Sequence, residues 1–189
     1  MRLVQDTDFS SLVWSNEVLE LGEYVNCVFE NCDFNEANLS QFEFEDCTFK
    51  NCNLSMTRLT ATSFRKVTFE NCKMMGIPFN TIQHFLCELR FLHSNLNYSI
   101  FSELKVKDLF FDSCTLVQAD FSLAELRGVV FKDTDLSGAV FQNSNLTMAD
   151  FRTAIGYQIN PEATILNKAR FSKDNLEGLV KHLPIQITE

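Results

Sequence analysis

Cysteine, histidine and carboxylate side chains are the residues of this sequence that could do chemistry. Seven cysteines, three histidines and 25 acidic residues occur among its 189 residues. Thiols and imidazoles could bind a metal ion or carry a redox couple, and paired carboxylates could act as general acid and base. Each of these chemistries requires a particular spacing of side chains.

The cysteines follow the spacing of a repeated structure. Three of them, Cys32, Cys52 and Cys72, are twenty residues apart. Six share one position of a five-residue repeat, which elsewhere holds Ala, Ser, Thr or Val: Cys27, Cys32, Cys47, Cys52, Cys72 and Cys114. A metal site or a redox ladder is the functional interpretation. One wall of thiols supplies no tetrahedral ligand set, so we favour small buried apolar residues.

The closest metal candidate is His84-x2-Cys87, with His93 further on. Cys87 lies outside the repeated cysteine position and is expected to point outward, which favours a site. The alternative, a polar loop beside a break in the repeat, is the one we favour. No nucleotide-binding, zinc-protease or nucleophile-elbow motif occurs, and the carboxylates fall at outward positions. We therefore expect a protein that is not an enzyme and needs no metal or cofactor.

The repeat itself is clearest over residues 119–151, which read ADFSL-AELRG-VVFKD-TDLSG-AVFQN-SNLTM-ADF. A large apolar residue occupies each centre, and a small residue stands two positions earlier. The centres follow at steps of five from Phe9 to Phe79 and from Leu86 to Phe151. Seven residues separate Phe79 from Leu86, so two residues are inserted within 80–85. Neither the helical period nor the strand period explains steps of five.

A fixed short period over most of a chain predicts a solenoid. Residues i−2 and i of an extended segment point to the same side, and the other three turn the corner. Each unit is then one short face, and a few faces close a coil. Phenylalanines twenty residues apart indicate which faces stack: Phe29, Phe49 and Phe69, then Phe91, Phe111, Phe131, Phe151 and Phe171. At a strand spacing of about 4.8 Å, about eight coils form a rod about 40 Å long.

The repeat fails near the C-terminus. Gly156 and Pro161 interrupt it over residues 152–165, an irregular coil within the predicted solenoid 1–171. Residues 172–189 predict a short α-helix, capped by Ser172 and stopped by Pro184, and a strand-like tail. The helix carries an apolar stripe of Leu176, Leu179, Val180 and Leu183, and the tail carries Ile185 and Ile187. This stripe either caps the last coil or forms an isologous dimer interface, and the pattern alone leaves both open.

Charge is concentrated at the other end. The net charge is −9, with a pI near 4.8. Residues 1–49 hold eleven acids and one base, whereas residues 50–189 hold fourteen acids and fifteen bases. An acidic protein is a poor direct ligand for nucleic acids or anionic membranes. No signal peptide and no apolar run of membrane-spanning length occur, so we expect a cytoplasmic protein.

The units CDFNE, ANLSQ, CTFKN, CNLSM, ADFSL and TDLSG resemble the pentapeptide-repeat family, A(D/N)LXX. That resemblance implies an all-β, right-handed quadrilateral β-helix with four units per coil. The segment FLCELRFLHSNLNYSIF resembles the Qnr quinolone-resistance proteins. The ending INPEA…GLVKHLPIQI resembles the microcin B17 immunity type. This branch, which also includes the mycobacterial homologue and the albicidin-resistance protein, protects type II topoisomerases by imitating DNA.

The resemblance implies a homodimer that binds DNA gyrase or topoisomerase IV and protects it from quinolone or peptide poisons. The expected dimer residues are Leu176, Leu179, Val180, Leu183, Ile185 and Ile187. The expected partner-binding residues are Glu30, Asp33, Glu36, Glu43, Glu45, Asp46, Gln83, His84 and Phe85. The alternative is a general scaffold whose acidic coils bind an unrelated basic partner. Fewer residues are inserted here than in the projecting loops of Qnr proteins, and the acidity is not spread along the whole rod.

Overall fold

The computed structural model describes residues 2–14, 19–106 and 108–186. These residues form a parallel β-solenoid of about eight coils with little helix, which confirms the all-β fold predicted from the repeat. Strands twenty residues apart lie side by side, for example Phe49 beside Phe69. The period of the sequence therefore sets which residues become neighbours on the surface.

Two parallel sheets form two sides of the solenoid, a short one of four strands in the N-terminal coils and a long one of nine strands. The short sheet has the order β1-β3-β5-β7, and the long sheet has the order β13-β12-β11-β10-β9-β8-β6-β4-β2. The short sheet consists of β1 (Arg2–Gln5), β3 (Gly22–Val25), β5 (Glu43–Glu45) and β7 (Ser63–Arg65). The long sheet consists of β2 (Asp8–Ser10), β4 (Val28–Glu30), β6 (Thr48–Lys50), β8 (Val67–Glu70), β9 (Glu88–Leu92), β10 (Asp108–Asp112), β11 (Val130–Lys132), β12 (Asp150–Phe151) and β13 (Arg170–Phe171).

Single β-bridges connect the coils on the other two sides. On the third side, Asp33 pairs with Asn53 and Asn53 with Lys73. On the fourth side, Ile100 pairs with Asp120 and Asp120 with Val140. All these pairings are parallel, so the coils wind in the same direction along the rod.

The core is a set of stacked rings. Under the long sheet, each phenylalanine lies 4.6–5.3 Å, centroid to centroid, from the next ring in the stack. The stack runs Phe9, Phe29, Phe49, Phe69, Phe91, Phe111, Phe131, Phe151 and Phe171. Near-parallel rings at this distance bury a large apolar area while leaving the outward residues free to vary.

The corners explain how the chain turns with few glycines. At most of the corners, one residue adopts a positive φ; Asn51 (53°) and Asn71 (52°) are examples. The amide of Asn51 donates to the carbonyl of Glu70 in the next coil, at 2.9 Å. Asparagine and aspartate adopt this conformation at lower cost than other side chains, because they hydrogen-bond locally.

The insertion lies later than predicted. Gln83 pairs with Ser63, an offset of 20, whereas Leu89 pairs with Val67, an offset of 22. The extra residues therefore fall within 84–88, which overlaps the predicted range 80–85 only at its end. Pairing with Ser63 places His84, not Leu86, beside Phe64 in the core column of the short sheet. The assignment of Leu86 to a central position was wrong, because its side chain is 64% exposed.

Cys87 was also assigned wrongly. It was expected to point outward, but it is 5% exposed and lies in the core. The reason is the later insertion, which leaves Cys87 two residues before the buried Leu89 that opens the pairing of β9 with β8. Leu89 takes the small inward position of this coil, and Cys87 is buried within the insertion itself; the other six cysteines are buried as well.

The C-terminal helix is a 3-10 helix, Lys173–Leu179, and not the longer α-helix that was predicted. The Ser172 hydroxyl accepts a hydrogen bond from the Asp174 amide at 3.3 Å, as expected of a cap. Gly178 packs so closely on Tyr157 that a Cβ at that position would collide with the Tyr157 carbonyl. The predicted terminal strand is absent at Ile185 and Gln186, and Ile187 lies outside the described residues.

Candidate partner-binding surface

The predicted acidic residues lie on different sides of the second and third coils. Glu43 and Glu45 project from β5 on the short sheet, with the Asp46 corner beside them. Glu30 ends β4 on the long sheet, and Asp33 lies on the third side. Glu36 is at the corner between the third and fourth sides. These six residues therefore do not form one patch.

One arginine is shared by three acids of the short sheet and offsets one of their three negative charges. The Arg65 Nη2 atom lies 3.4 Å from Glu23 Oε1 and 3.2 Å from Glu43 Oε2, and its Nε atom lies 2.9 Å from Glu45 Oε2. The Arg65 side chain is 27% exposed, which makes this a partly desolvated cluster. Charges held this way attract a partner less than the count of acids suggests, because each carboxylate already has a cation beside it.

The sequence contained the signal for this pairing, but the prediction missed it. Arg65 and Lys66 follow Glu45 and Asp46 by twenty residues, which is one coil. Lys66 Nζ lies 3.9 Å from Asp46 Oδ1, a weak exposed pair. Counting charge by sequence segment therefore overestimated the acidity of this side.

Three of the predicted acids form no salt bridge with the residues that the structure describes. No salt bridge to Glu30, Asp33 or Glu36 occurs within the described ranges. Glu30 is in register with Lys50, but the Lys50 ammonium turns to Glu70 at 3.7 Å. The Asp33 carboxylate accepts hydrogen bonds from the Asn35 amide (3.0 Å) and the Asn53 side chain (3.1 Å), which leave its charge in place. We name Glu30, Asp33 and Glu36 the acidic arc.

The insertion forms a second feature, on the short-sheet side. Phe85 is 78% exposed, the largest exposure of any aromatic side chain in the described ranges. One cavity, of about 520 Å³, lies beside it and includes Gln83, Glu43 and Arg65 in its lining. A second, of about 500 Å³, is lined by Glu45, Arg65, Lys66, His84, Phe85, Leu86, Cys87, Glu88, Lys105 and Asp108. The predicted residues Gln83, His84 and Phe85 are thus brought next to Glu43 and Glu45.

His84 differs from Gln83 and Phe85 because its side chain is partly buried, whereas theirs are exposed. Its Nε2 atom is buried and has no hydrogen-bond partner among the residues that the structure describes. Burial lowers the pKa of His84, and the positive charge of Lys105 lowers it further. The imidazole is therefore neutral at pH 7, because a charged ring would lose its hydration and face a like charge.

Three of the buried thiols are held in the protonated, unreactive form. Burial raises the pKa of Cys47 and Cys87 to about 12 and that of Cys114 to about 11, so these groups are protonated at neutral pH. The thiolate is the reactive form and the metal ligand. In the part of the chain that is described, no group of three or more His, Cys, Asp or Glu side chains is placed to hold a metal ion.

The predicted dimer residues at the C-terminal end fall into two sets, one half-buried and one exposed. Leu179 and Val180 are half-buried, and Leu179 packs against the core. Leu176, Leu183 and Ile185 are 45%, 41% and 56% exposed. The Tyr157 hydroxyl donates to the Asn175 carbonyl at 2.7 Å, which fixes the helix over the last coil. The helix therefore caps the solenoid and still presents apolar side chains outward.

Comparisons with known proteins agree on the fold. The model "Pentapeptide repeat region" matches residues 23–101, and "Pentapeptide repeats (8 copies)" matches residues 111–143 and 119–155. No curated protein matches the sequence. None of the described helices is long and apolar enough to cross a membrane.

Two solved structures are similar over nearly their whole length. A trypsin-treated variant of QnrB1, a plasmid-mediated fluoroquinolone resistance protein, is 23% identical, with a TM-score of 0.53 over 96% of this chain and 99% of that chain. HetL, involved in heterocyst differentiation regulation in the cyanobacterium Nostoc sp., is 15% identical, with a TM-score of 0.54 over 94% and 89%. At these identities the likeness is one of fold, and the two proteins have different roles.

Proposed function

The chain belongs to the pentapeptide-repeat family, and from that premise we propose that it is a non-enzymatic protein that binds a type II topoisomerase by imitating DNA. The partner would be DNA gyrase or topoisomerase IV, and binding would protect it from a quinolone or a peptide poison. The observation that carries this proposal is the acidic arc of Glu30, Asp33 and Glu36. The resemblance of the sequence to the Qnr and microcin-immunity branch supports the choice of partner.

Charge density supports imitation of DNA at one end of the rod. Duplex DNA carries one negative charge per about 1.7 Å. Residues 1–49 carry a formal charge of −10, over a length of about 12 Å at the strand spacing. Arg65 and Lys66 compensate part of this on the short-sheet side. The acidic arc runs from the long sheet across the third side to the next corner, and a DNA-binding surface of the partner would dock there.

Phe85 would supply an apolar contact that DNA cannot supply. It projects from the insertion on the short-sheet side, with Gln83 and His84 in the same segment. An exposed aromatic residue flanked by polar groups is typical of a protein-protein contact. The acidic arc would attract the partner, and Phe85, on the side of the coil opposite Asp33, would add specificity for a partner that wraps around the rod.

The C-terminal end would form the homodimer. Leu176, Leu183 and Ile185 remain exposed after Leu179 has covered the last coil. Packing this end against its copy would bury all three in an isologous interface. The acidic arcs of the two chains would then lie at the far ends of the dimer.

A supercoiling assay with purified gyrase, ciprofloxacin and this protein tests the proposal. We expect the protein to relieve inhibition, and the triple variant Glu30→Gln, Asp33→Asn, Glu36→Gln to lose most of that relief. The matched control is Glu23→Gln, Glu43→Gln, Glu45→Gln, which removes three negative charges from the side where Arg65 is ion-paired with them. This control should retain relief, because those carboxylates are already engaged in ion pairs with Arg65 and lie away from the acidic arc.

Both variants have the same net charge, so a difference between them reports where the charge lies. An equal loss of relief from ciprofloxacin in both variants would mean that net charge alone drives binding. A wild-type protein that neither relieves ciprofloxacin or a peptide poison nor binds gyrase in a pull-down would end the topoisomerase proposal.

The alternative function is a scaffold that binds a basic partner unrelated to topoisomerases. The near-neutral charge of residues 50–189 favours it, because a rod that imitates DNA along its length would be acidic throughout. Affinity purification that repeatedly returns one non-topoisomerase partner, and loses it with the acidic-arc variant, would select this alternative.

A further inference from the structure

The N-terminal end of the solenoid is open among the residues that the structure describes. The strands β1 and β2 are the last strands of their sheets, so each is paired along one edge only. At the opposite end, the 3-10 helix Lys173–Leu179 lies over the last coil and packs Leu179 against the core. No described element covers the first coil in the same way. A solenoid with an uncovered end presents strand edges to which another chain can add.

The free edge of β2 presents backbone groups in a regular order. In the second coil, the Val28 amide donates to the Thr7 carbonyl at 3.2 Å and therefore points toward the N-terminal end. Asp8 pairs with Val28 and holds the same position one coil earlier, so its amide also points toward that end, beyond the last strand of the sheet. Ser10, two residues further along, is oriented in the same way, because the backbone groups of a strand alternate between its two edges. These groups are available to an added strand.

The core side of the same edge is incomplete. Phe9 stacks on Phe29 at 4.8 Å, but Phe9 is only half-buried, whereas Phe29 is fully buried between Phe9 and Phe49. One face of the Phe9 ring carries no further ring of this stack within the described ranges. An apolar side chain placed against that face would continue the stack and remove the remaining apolar area from water.

The outward side of this edge is acidic. Asp6, at the corner before β2, and Asp8, on the strand itself, are both exposed, and neither forms a salt bridge within the described part of the chain. Asp6 accepts a hydrogen bond from the neutral side chain of Asn26, which leaves its charge in place. Glu30 lies beside Ser10 in the next coil and adds a third carboxylate. A basic side chain on an added strand would therefore find an opposite charge beside it at Asp8.

We propose that the free edge of β2 binds an extended, basic segment of a partner protein by strand addition. The side chains of this segment alternate: lysine or arginine lies outward beside Asp8, and an apolar side chain lies inward on Phe9. A second copy of this chain is a poor occupant, because two acidic ends would face each other. The edge of β1 suits a basic segment less well, because Arg2 places a positive charge there and is paired with Glu20.

Amide hydrogen exchange of the full-length protein, measured by NMR, tests this strand addition. The probe is a short synthetic peptide, blocked at both termini, in which lysine alternates with phenylalanine and valine. We expect the peptide to bind and to slow the exchange of the Asp8 amide. The Val28 amide is already bonded to the first coil and should be protected with and without the peptide. A peptide of the same composition with its lysines grouped at one end should bind more weakly and leave the Asp8 amide unprotected.

The variant Asp8→Lys separates this edge from the overall acidity of the protein. It places a like charge beside the lysines of the peptide and should weaken binding by about three- to tenfold. The matched control is Glu103→Lys, which makes the same change in net charge at an exposed corner in the middle of the rod and should bind as the wild type does.

Three results would overturn the proposal. The first is no binding of the alternating peptide, or binding that leaves the Asp8 amide unprotected. The second is equal weakening by Asp8→Lys and Glu103→Lys, because the peptide would then respond to net charge alone. The third is protection of the Asp8 amide that rises with protein concentration in the absence of peptide, because a second copy would then be the occupant. None of these experiments contains a topoisomerase, so the topoisomerase proposal is judged separately.

Discussion

At the scale of single residues, position in the repeat decides more than residue type. His84 continues the column of rings formed by Tyr24, Phe44 and Phe64 in the short sheet. It fills the place of an aromatic ring but adds a buried nitrogen without a partner among the described residues. An unsatisfied buried polar group costs about 1–3 kcal/mol.

Replacing His84 by phenylalanine should therefore stabilise the protein. We expect the free energy of unfolding to rise by about 1–3 kcal/mol at pH 7, because the unsatisfied group is removed and a ring is stacked on Phe64. The native pKa of His84 lies below its unfolded value. Wild-type stability should thus fall as the pH drops below about 6.5, and the variant should lose this dependence. Urea denaturation at several pH values measures both effects.

His93→Gln is the control for this prediction. His93 lies at a corner of positive φ between the long sheet and the third side. Its replacement should not raise the free energy of unfolding at pH 7, because the His93 side chain is exposed and no buried group is relieved. A His84→Phe protein that is less stable than the wild type at pH 7 would contradict the assignment of His84 to the core column.

At the scale of elements, the last strands depend on one buried carboxylate. Asp150 in β12 is 7% exposed. Its Oδ2 atom lies 2.8 Å from Arg152 Nη2 and 2.9 Å from Arg170 Nη2, which joins β12 to β13. Arg152, and to a lesser degree Arg170, lowers the pKa of Asp150. The last coil has an irregular path, and β12 and β13 are only two residues long. The ion pairs of Asp150 therefore help to hold these two short strands together.

The substitution Asp150→Asn should loosen the C-terminal coil. We expect a loss of about 1–2 kcal/mol at pH 7, since both arginines are more than half exposed and solvent screens the pairs. The native pKa is lowered, so the contribution is present above about pH 4 and disappears as the pH falls through the native value. The difference between variant and wild type should therefore shrink in acid.

Hydrogen exchange locates the effect of Asp150→Asn. Faster exchange is expected at β13 and not at β4 or β6, because each coil contacts only its neighbours. Asp133→Asn, at an exposed corner one coil away, is the control and should change neither region. Uniformly faster exchange along the rod would contradict a local role for Asp150.

At the scale of the whole molecule, the two ends differ in chemistry. The N-terminal coils carry the acidic arc, and the C-terminal end carries the exposed leucines. The stacked core between them is nearly the same from coil to coil and tolerates many outward residues. Functional differences among rods of this kind must therefore lie on the sides and at the ends.

The exposed end should make the protein a dimer. We expect Leu183→Asp to convert it to a monomer whose repeats remain folded, because a carboxylate would be buried in the isologous interface. Sedimentation equilibrium measures the mass, and circular dichroism follows the fold. Leu123→Asp, which changes an exposed leucine of the solenoid, should leave the mass unchanged. A wild-type mass of one chain would refute the dimer.

By itself, the sequence determined the solenoid. Stacked coils place residues twenty positions apart in contact, so the residues that fill the core recur with a period that can be read from the sequence. It also located the acidic coils and the apolar C-terminal end, but it left open whether that end caps the last coil or forms a dimer. Only the tertiary structure decided which acids form ion pairs with a basic side chain and where the insertion lies. Arg65 reaches three glutamates by a side-chain geometry that no period encodes. The insertion could be placed in more than one register with the core kept apolar, and the choice depends on whether Cys87 or Leu86 is buried.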